Sequence, residues 1–406
     1  MLRYLLLFMC LGMWACSDFS GPSAVENASS AEWPAVTDLT FPLFSEVDPA
    51  LSGIDFKNRI VESDAINYFQ YEYLYNGGGI AVGDINNDGL PDLFFTANMS
   101  FDRLYLNKGD WQFEDISKTA GIRTQNDWST GVTMADVNGD GWLDIYVSKS
   151  GWFEQEELRR NRLWINNGDL TFSEQAQQYR IADAGYSTQA VFFDLDNDND
   201  LDLYVGNHPI VFKESLQVAL AKRATPPAYQ SDQLYRNDGK QFINISQQAG
   251  IRNYGHTLGL VANDFNRDGH IDIFVSNDYN APNFYYQNQG DGTFVDQGPQ
   301  LLKHMAKFSM GVDAADINND GWTDIFTTEM MAEDNQRQKT NMASMSVDDF
   351  WTFVEHDYGH QYMHNCLQLN NGQGPFSEIA YLAGVATTDW SWAPLFADFN
   401  QDGYQD

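Results

Sequence analysis

The chain has 406 residues, of which 43% are hydrophobic and 20% are charged, so it has enough apolar material for a core and lacks the composition of a disordered protein. At about 150 residues per domain, this length predicts two or three domains, or one large domain built from repeats. Asp and Glu number 57 against 23 Lys and Arg, which gives a net charge of −34. Such a polyanion repels phosphate backbones, which argues against nucleic acid as a partner.

The N-terminus has the pattern of an exported lipoprotein. Residues 1–15, MLRYLLLFMCLGMWA, combine one early Arg with an apolar run too short to span a bilayer, and a small residue precedes Cys16. The tripeptide Met-Trp-Ala resembles a bacterial lipobox, although its Trp is unusual there, so we predict that Cys16 becomes N-terminal and lipid-modified after cleavage. An ordinary secretory signal is the alternative.

The segment after this leader is small and polar, and we predict that residues 16–35 form a flexible tether. No later segment has about 18 consecutive apolar residues, so membrane contact is expected only through the N-terminal lipid anchor. The sequence therefore predicts an outer-membrane or cell-surface lipoprotein of a bacterium. Only Cys366 lies in the body of the chain, and no disulfide framework is available.

A nine-residue acidic motif occurs six times in the remaining chain. It reads Asp, any residue, Asn or Asp, any residue, Asp, usually Gly, two further residues and Asp. Successive copies begin 52 to 82 residues apart, which is too irregular for a strict repeat. The copies are DINNDGLPD from Asp84, DVNGDGWLD from Asp136, DLDNDNDLD from Asp194, DFNRDGHID from Asp264, DINNDGWTD from Asp316 and DFNQDGYQD from Asp398.

An Asn-x-Gly turn followed by Phe is a second landmark. It begins at Asn107, Asn166, Asn237, Asn288 and Asn370, and each Asn precedes the next acidic motif by 27 to 29 residues. From each acidic motif to its own Asn the distance varies from 23 to 54 residues. All length variation is therefore confined to one connection per repeat.

Short β-prone stretches alternate with turns around these landmarks, as in GIAVGD, LFFTAN, RLYLN and QFEDIS of the first copy. Four short antiparallel strands per unit, at a period above 50 residues, predict an all-β fold of propeller blades over residues 36–406. A glycine five residues before the first Asp suits close strand packing in four copies, and Gln189 and Ala393 depart from it. The sixth unit has its acidic motif but not its later strands, so we expect an incomplete sixth blade.

The alternation of strand direction assigns the connections to two faces. The acidic loop joins strands one and two and the Asn-Gly turn joins strands three and four, so both lie on one face. The connection of variable length joins strands two and three on the other face. Its large insertions cover residues 206–233 and 328–365. Because variable loops on a rigid scaffold usually carry binding, we predict the binding site there.

Each acidic loop is predicted to hold one Ca²⁺, giving up to six sites. Side-chain oxygens at positions 1, 3, 5 and 9, with the backbone carbonyl at position 7, form the all-oxygen cage that Ca²⁺ prefers over the stricter octahedron of Mg²⁺. Gly at position 6 makes the sharp turn, and Asn199 replaces it in the third loop. The predicted ligands are Asp84, Asn86, Asp88, Leu90 and Asp92; Asp136, Asn138, Asp140, Trp142 and Asp144; Asp194, Asp196, Asp198, Asp200 and Asp202; Asp264, Asn266, Asp268, His270 and Asp272; Asp316, Asn318, Asp320, Trp322 and Asp324; and Asp398, Asn400, Asp402, Tyr404 and Asp406.

Two other interpretations of the acidic loops are weaker. An EF-hand needs Glu at position 12 between two helices, whereas position 12 here is hydrophobic or Thr and the flanks are β-like. Plain Asp/Asn-rich turns would account for one copy but hardly for six with the same ligand positions. Six Ca²⁺ ions carry twelve positive charges and would bring the net charge from −34 to −22. Without them, the carboxylates crowded in each loop would repel one another.

These motifs resemble the FG-GAP or VCBS repeats of calcium-binding β-propellers such as integrin α-subunits, and most closely those of the cartilage acidic protein type and its bacterial surface-lipoprotein relatives. The resembling segments include YNGGGIAVGDINNDGLPDLFFTAN, LYLNKGDWQFEDISKTAGI and residues 362–406. The resemblance implies a calcium-stabilised extracellular recognition module, typically of seven blades. Since only six motifs are visible, we expect this chain to be a piece of a longer protein.

Other candidate residues have structural explanations. His356, His360 and His364 are four residues apart, which on a helix would suit a transition metal, but Gly359 interrupts the run and favours a loop. Cys366 is expected to be a small buried residue rather than a nucleophile. Structural roles are also predicted for His256 and His270. For the tryptophans we predict packing between blades, with sugar stacking as the alternative, at Trp128, Trp152, Trp351, Trp390 and Trp392. Residues 213–224 are predicted to form a short amphipathic helix that packs on the fold.

The sequence therefore predicts a binding module without a catalytic motif, which recognises a protein or glycan partner through the face with the two insertions. The alternative is a propeller-type polysaccharide lyase or hydrolase with structural calcium, using acids or His360 in the inserted loops. A third possibility is a structural subunit of a larger surface assembly. Saturable binding without product formation would distinguish the first from the second.

Overall fold

The computed structural model describes residues 44–122, 127–212, 214–239, 241–341 and 345–406. The predicted signal peptide, tether and lipidated Cys16 lie outside the described residues. Within the described part, Glu46–Asp406 pack together as one unit. None of the helices in that part combines the length and the hydropathy needed to cross a bilayer.

The predicted blades are present as five four-stranded antiparallel sheets, each with its strands in chain order. Blade 1 consists of β1 (Ile80–Gly83), β2 (Asp92–Phe95), β3 (Arg103–Asn107) and β4 (Phe113–Asp115). Blades 2 and 3 consist of β5 (Ser129–Ala135), β6 (Asp144–Lys149), β7 (Arg162–Asn166), β8 (Phe172–Glu174), β9 (Ser187–Phe193), β10 (Asp202–Asn207), β11 (Gln233–Asn237) and β12 (Phe242–Asn244). Blades 4 and 5 consist of β13 (His256–Asn263), β14 (Asp272–Asp278), β15 (Phe284–Asn288), β16 (Phe294–Asp296), β18 (Gly311–Ala315), β19 (Asp324–Thr328), β21 (Cys366–Leu369) and β22 (Ser377–Glu378).

This arrangement confirms the all-β fold of four-stranded blades, while the total number of blades in the family remains a prediction. The first strand of each blade is the inner one, and it packs against the first strand of the next blade in the order β1, β5, β9, β13, β18. The apolar cores lie between neighbouring blades. One such cluster includes Leu203 and joins blade 3 to blade 2. Another includes Tyr204 and Val275 and joins blade 3 to blade 4.

The glycines five residues before each acidic motif lie where these inner strands meet. A Cβ added at Gly131 would be 2.5 Å from the carbonyl oxygen of Thr188, and one added at Gly259 would be 2.9 Å from the backbone nitrogen of Val312. Only glycine permits this approach, which confirms the predicted packing role. In blade 3 the exception, Gln189, uses its side chain instead, because its Oε1 accepts a hydrogen bond of 3.0 Å from the backbone N–H of Leu260 in blade 4.

The segment before the first blade runs along blade 1 to the face opposite the acidic loops. It contains α1 (Pro49–Ser52), which ends at Gly53 beside the backbone of Phe113 in β4, and a 3-10 helix at Glu72–Tyr75, which lies on the opposite face. Tyr71, Tyr73 and Leu74 are buried there against Trp128, which precedes β5. This segment therefore covers the ends of the inner strands on the face that the sequence assigns to binding.

The two long insertions also lie on that face and contain the three longest helices of the described residues. The first contains α3 (Leu216–Ala224), which confirms the predicted short helix, and a 3-10 helix at Ala228–Gln230. The second contains α5 (Asn335–Asn341), α6 (Val347–Glu355) and β20 (Gln361–Tyr362), which pairs in parallel with β17 (Met305–Ala306). The remaining short helices are α2 (Ala176–Tyr179), α4 (Gly298–Leu301), α7 (Ala380–Ala383) and a 3-10 helix at Glu156–Leu158.

In blades 2, 4 and 5, the Asn that opens the Asn-Gly turn ties its blade to the preceding one. Asn288 Nδ2 donates to the carbonyl oxygen of Ile271 in its own blade at 3.2 Å and to that of Leu195 in blade 3 at 2.9 Å. Asn166 and Asn370 make the same pair of contacts with blades 1 and 4. The landmark that defined the repeat is thus a hydrogen-bonded joint between blades.

We predict that Asn288→Ala lowers the free energy of unfolding by about 2 kcal/mol, because two buried carbonyl groups lose their donor. Chemical denaturation of the purified protein at fixed calcium concentration measures this change. The matched control is Gln289→Ala in the same turn, whose exposed side chain donates to the carbonyl of Gln287. Equal stability of the two variants would contradict the role assigned to Asn288.

Candidate functional site

The acidic loops share one internal hydrogen-bond pattern. In the first loop, the backbone N–H groups of Asp88 and Gly89 donate to the two carboxylate oxygens of Asp84, at 3.1 and 2.7 Å. The N–H of Leu90 donates to Asp88 at 2.9 Å. The same three bonds occur in the loops that begin at Asp136, Asp264, Asp316 and Asp398. These bonds fold the chain back so that positions 1, 3 and 5 face the same centre.

The turn at position 6 needs a left-handed backbone, as the sequence predicts. Gly89 has φ of 85°, and Asn199, the one residue that replaces glycine, has φ of 71°. Position 4 is also left-handed, with φ of 57° at Asn87. Two left-handed residues within three positions give the loop its tight curvature.

The last Asp of each of the first five motifs begins the second strand of its blade and is completely buried. Asp144, for example, accepts hydrogen bonds from the backbone N–H groups of Val137 at 3.0 Å and Asn166 at 2.9 Å. Burial, reinforced by the neighbouring carboxylates of the loop, raises the pKa of Asp144 to about 6 and that of Asp202 to about 7. A buried carboxylate beside two or more others is costly unless a cation lies among them.

The third loop shows this crowding most directly. It contains five Asp residues, and carboxylate oxygens of Asp194, Asp196 and Asp202 lie within 4.8 Å of one another. In addition, Oδ1 of Asp200 is buried and has no hydrogen-bond partner among the described residues. This orphaned oxygen and the clustered carboxylates form a donor set of hard oxygens, which fits a divalent cation such as Ca²⁺.

Neighbouring acidic loops contact one another directly. Nδ2 of Asn87 in the first loop donates to the carbonyl oxygen of Gly141 in the second at 3.0 Å, and Asn197 makes the equivalent bond to Gly269. Asn319 donates in the same way to Gly403 of the sixth loop at 2.9 Å. The sixth motif therefore adopts the loop conformation and joins the series, although the described residues after Ala383 form no strand.

The opposite face contains a cluster of buried aromatic and histidine rings that the sequence analysis did not find. Tyr73 from the N-terminal segment lies 4.7 Å from Phe212 and 5.1 Å from His208 between ring centroids, and His256 lies 4.6 Å from Tyr279. Burial lowers the pKa of His208 to about 4 and that of His256 well below its usual range, so both rings are neutral. The cluster is a packed core, which agrees with the structural role predicted for His256.

A groove lies beside this cluster, between the connections of blades 1 and 2. Its volume is about 510 Å³, which is in the range of ligand sites. Apolar side chains, four of them aromatic, dominate its wall, and Asn98, Ser100 and Asp127 supply polar groups. The remaining lining residues are Val61, Ile66, Met99, Phe101, Trp128, Trp152 and Phe153. Both tryptophans were already candidates from the sequence, whereas no sequence pattern marked Phe153 or residues 61–66 as part of a site.

The two insertions pack on each other above blades 4 and 5. Arg223 of the first insertion lies over the ring of Tyr358 in the second, with 4.8 Å between Cζ and the ring centroid. The short helix that contains Arg223 therefore packs on the fold, as predicted. The groove between blades 1 and 2 lies on the predicted face, but the insertions themselves do not line it.

The three histidines spaced four residues apart do not share a helix. The helix α6 ends at Glu355, His356 bonds back to the carbonyl of Thr352, and Gly359 has φ of 70°. His364 instead lies near His304 and Cys366. Burial raises the pKa of the Cys366 thiol well above its usual range, which agrees with the predicted small buried residue rather than a nucleophile. His270 is on the rim of its loop, where its Nδ1 lies 3.2 Å from Nδ2 of Asn197.

Sequence comparisons with known proteins agree with this geometry. The sequence-family model of the FG-GAP-like repeat matches residues 73–147, 155–205 and 264–327 of this chain. Cartilage acidic protein 1 of Mus musculus is 26% identical over 305 residues, covering 70% of this chain and 43% of that protein. Integrin alpha-8 of Gallus gallus is 30% identical over 168 residues, covering 37% of this chain and 15% of that protein. The structure of the V. cholerae biofilm matrix protein Bap1 aligns with a TM-score of 0.37 and 11% identity, over 73% of this chain and 38% of that one.

The fold and the loops thus define a blade-type β-propeller protein with acidic inter-strand loops. More specifically, residues 73–147, 155–205 and 264–327 match FG-GAP-like repeats, and the chain is similar in sequence to cartilage acidic protein 1 and to integrin alpha-8. The matched region spans less than half the length of these curated relatives.

The buried carboxyl of Asp278 on the aromatic face provides a pH test. It accepts a hydrogen bond from Tyr73, and burial raises its pKa from 3.8 to about 7. Its protonated form favours the folded state fully below about pH 4, and that contribution is lost as the pH rises toward 7. We predict that Asp278→Asn becomes more stable than the wild type across this window, by roughly 1 to 4 kcal/mol at pH 7.5.

Denaturation curves at several pH values, with wild type and variant compared at each pH, measure this difference. The acidic loops titrate in both proteins, so their contribution to the free energy of unfolding cancels when the two proteins are compared at the same pH. The exchange Asp110→Asn, at an exposed turn residue, is the control and should give a difference that does not vary with pH. A pH-independent difference for Asp278→Asn would refute the assignment.

Proposed function

We propose that this protein is a calcium-stabilised extracellular binding module, anchored to a bacterial surface through Cys16, that recognises a protein or glycan partner through the face opposite its acidic loops. The observation that carries this proposal is the separation of roles between the two faces. One face consists of repeated acidic loops, and the other consists of variable connections with an aromatic groove.

Calcium in the loops is supported by the donor set and by its electrostatics. Every loop supplies only hard oxygen ligands, and Ca²⁺ accepts six to eight of them in flexible geometry. Because neighbouring loops are hydrogen-bonded to each other through Asn87, Asn197 and Asn319, a cation in each loop also screens repulsion between these loops. The match to FG-GAP-like repeats and the relationship to an integrin alpha chain support the same assignment.

Binding on the opposite face is supported by the shape and chemistry of the groove. Trp152 and Phe153 lie 4.9 Å apart and are both partly exposed, while Trp128 lies beneath them, 5.2 Å from Trp152. Partly exposed aromatic rings beside buried polar groups can stack on a sugar ring or receive an apolar side chain of a protein. The neighbouring Asn98 is held by hydrogen bonds to Asn58 and Ser129, so the wall is preorganised.

The loops can be tested one at a time. We predict that the double variant Asp316→Ala, Asp320→Ala lowers bound calcium by one ion per chain, because the fifth loop loses two ligand carboxylates. Elemental analysis after gel filtration in trace calcium measures the stoichiometry. Replacement of the exposed Asp110 and Asp169 outside the motifs is the charge-matched control and should leave it unchanged. Equal stoichiometry in both double variants would contradict calcium binding at this loop.

The groove is tested with arrays of glycans and of surface proteins probed with the labelled protein. For any partner that binds saturably, we predict that Trp152→Ala weakens binding about thirtyfold, equivalent to about 2 kcal/mol for loss of an aromatic anchor. Trp351→Ala, which removes a 54% exposed tryptophan from the second insertion, is the matched control. If Trp351→Ala alone abolishes binding, the partner binds the insertions and not the groove. Release of a reaction product from a glycan would favour the lyase or hydrolase alternative.

A further inference from the structure

A cluster of nitrogen and sulfur donors lies in blade 5, away from both the acidic loops and the groove. One ring nitrogen of His304, one of His364 and Sγ of Cys366 are all within 4.8 Å of one another. His304 precedes β17, His364 follows β20, and Cys366 begins β21, so the parallel pairing of β17 with β20 brings them together. Their separation of about sixty residues in the chain explains why the sequence did not reveal the cluster.

The backbone around the cluster is fixed by hydrogen bonds. The carbonyl of His304 accepts from Nε2 of Gln368 at 2.8 Å. Cys366 lies in register with Thr327 of β19, and its side chain is completely buried. Cys366 is therefore placed by a regular strand, and His304 and His364 lie at bends that directly flank the paired strands β17 and β20.

Each histidine already uses one ring nitrogen, and this fixes its orientation. Nε2 of His304 lies 3.0 Å from Oε2 of Glu378, and Nδ1 of His364 lies 2.6 Å from the carbonyl oxygen of Asn365. A neutral ring that donates from one nitrogen to an oxygen presents a lone pair on the other. Carboxylate and carbonyl groups hold metal-binding histidines in this way in known sites.

Glu378 is itself held firmly in place. Its Oε1 accepts from the backbone N–H groups of Leu367 at 3.1 Å and Ala380 at 2.7 Å, which leaves Oε2 for His304. The side chain of Glu378 is 6% exposed and that of His304 is 29% exposed. Solvent therefore reaches the cluster from the His304 side, which provides an entry path for an ion.

We propose that His304, His364 and Cys366 form a binding site for a zinc-type transition-metal ion, with Glu378 orienting His304. Two imidazoles and one thiolate are borderline-to-soft donors, which favour Zn²⁺ over the Ca²⁺ of the acidic loops. Tetrahedral zinc bonds of about 2.0 to 2.3 Å place ligand atoms roughly 3.5 Å apart, so the side chains close by about an ångström. The fourth position is open to water on the exposed side of His304.

The test uses the purified full chain with calcium in excess, so that the acidic loops are satisfied. Zn²⁺ retained after gel filtration is counted by elemental analysis, and Co²⁺ serves as a spectroscopic probe. We expect one retained Zn²⁺ per chain and a Co²⁺ complex with a thiolate-to-metal charge-transfer band. Cys366→Ser should abolish that band, and His304→Ala should weaken Zn²⁺ binding at least tenfold.

Two further variants separate a site from adventitious binding. Glu378→Gln keeps the acceptor for both backbone N–H groups and should weaken Zn²⁺ binding by about ten- to a hundredfold while keeping the thiolate band. His356→Ala, which removes an exposed histidine at the end of α6, should leave binding unchanged. If Cys366→Ser does not fold, Zn²⁺ binding by His304→Ala, which changes a partly exposed residue, tests the site by itself. A Co²⁺ complex without a thiolate band, or Zn²⁺ binding unaffected by His304→Ala, would overturn the proposal.

Discussion

The fold depends on bringing negatively charged loops into contact with one another. Each acidic loop begins where the inner strand of a blade ends, and Asn87, Asn197 and Asn319 bind the carbonyl groups of the following loop. The buried Asp144 accepts a hydrogen bond from the backbone N–H of Asn166 in the same blade, and the side chain of Asn166 donates to the carbonyl of Ile85 in the preceding blade. Coulomb repulsion at this position is the cost of the arrangement, and a cation in each loop offsets it.

The same constraint explains why the two faces differ. The acidic face has nearly constant lengths because each loop must meet its neighbour in register, and one extra residue would break the contact. The connections between second and third strands vary from a few residues to the insertions 206–233 and 328–365. The N-terminal segment, through Tyr71 and Tyr73, fills the space at the ends of the inner strands and leaves the groove beside Trp152 open.

Much of this could be predicted from the sequence, because the determining signals are local. Nine consecutive residues define each loop, one Asn defines each turn, and Gly131 or Gly259 reports a close strand approach within its own motif. Contacts between distant segments gave no such signal. Phe212 packs on Tyr73, and His304 meets His364 and Cys366, only because the blades bring them together. The three regularly spaced histidines show the opposite case, since their local spacing suggested a site that Gly359 and the end of α6 prevent.

The central claim is that cations in the acidic loops hold the blades together, and the thermal melt of the purified protein with calcium and with chelator tests it most directly. Bound calcium counted in the same samples relates the melting temperature to loop occupancy. The account predicts several Ca²⁺ per chain and a melting temperature that rises steeply as they bind, in one cooperative transition. A folded protein with the same melting temperature in calcium and in chelator would contradict it.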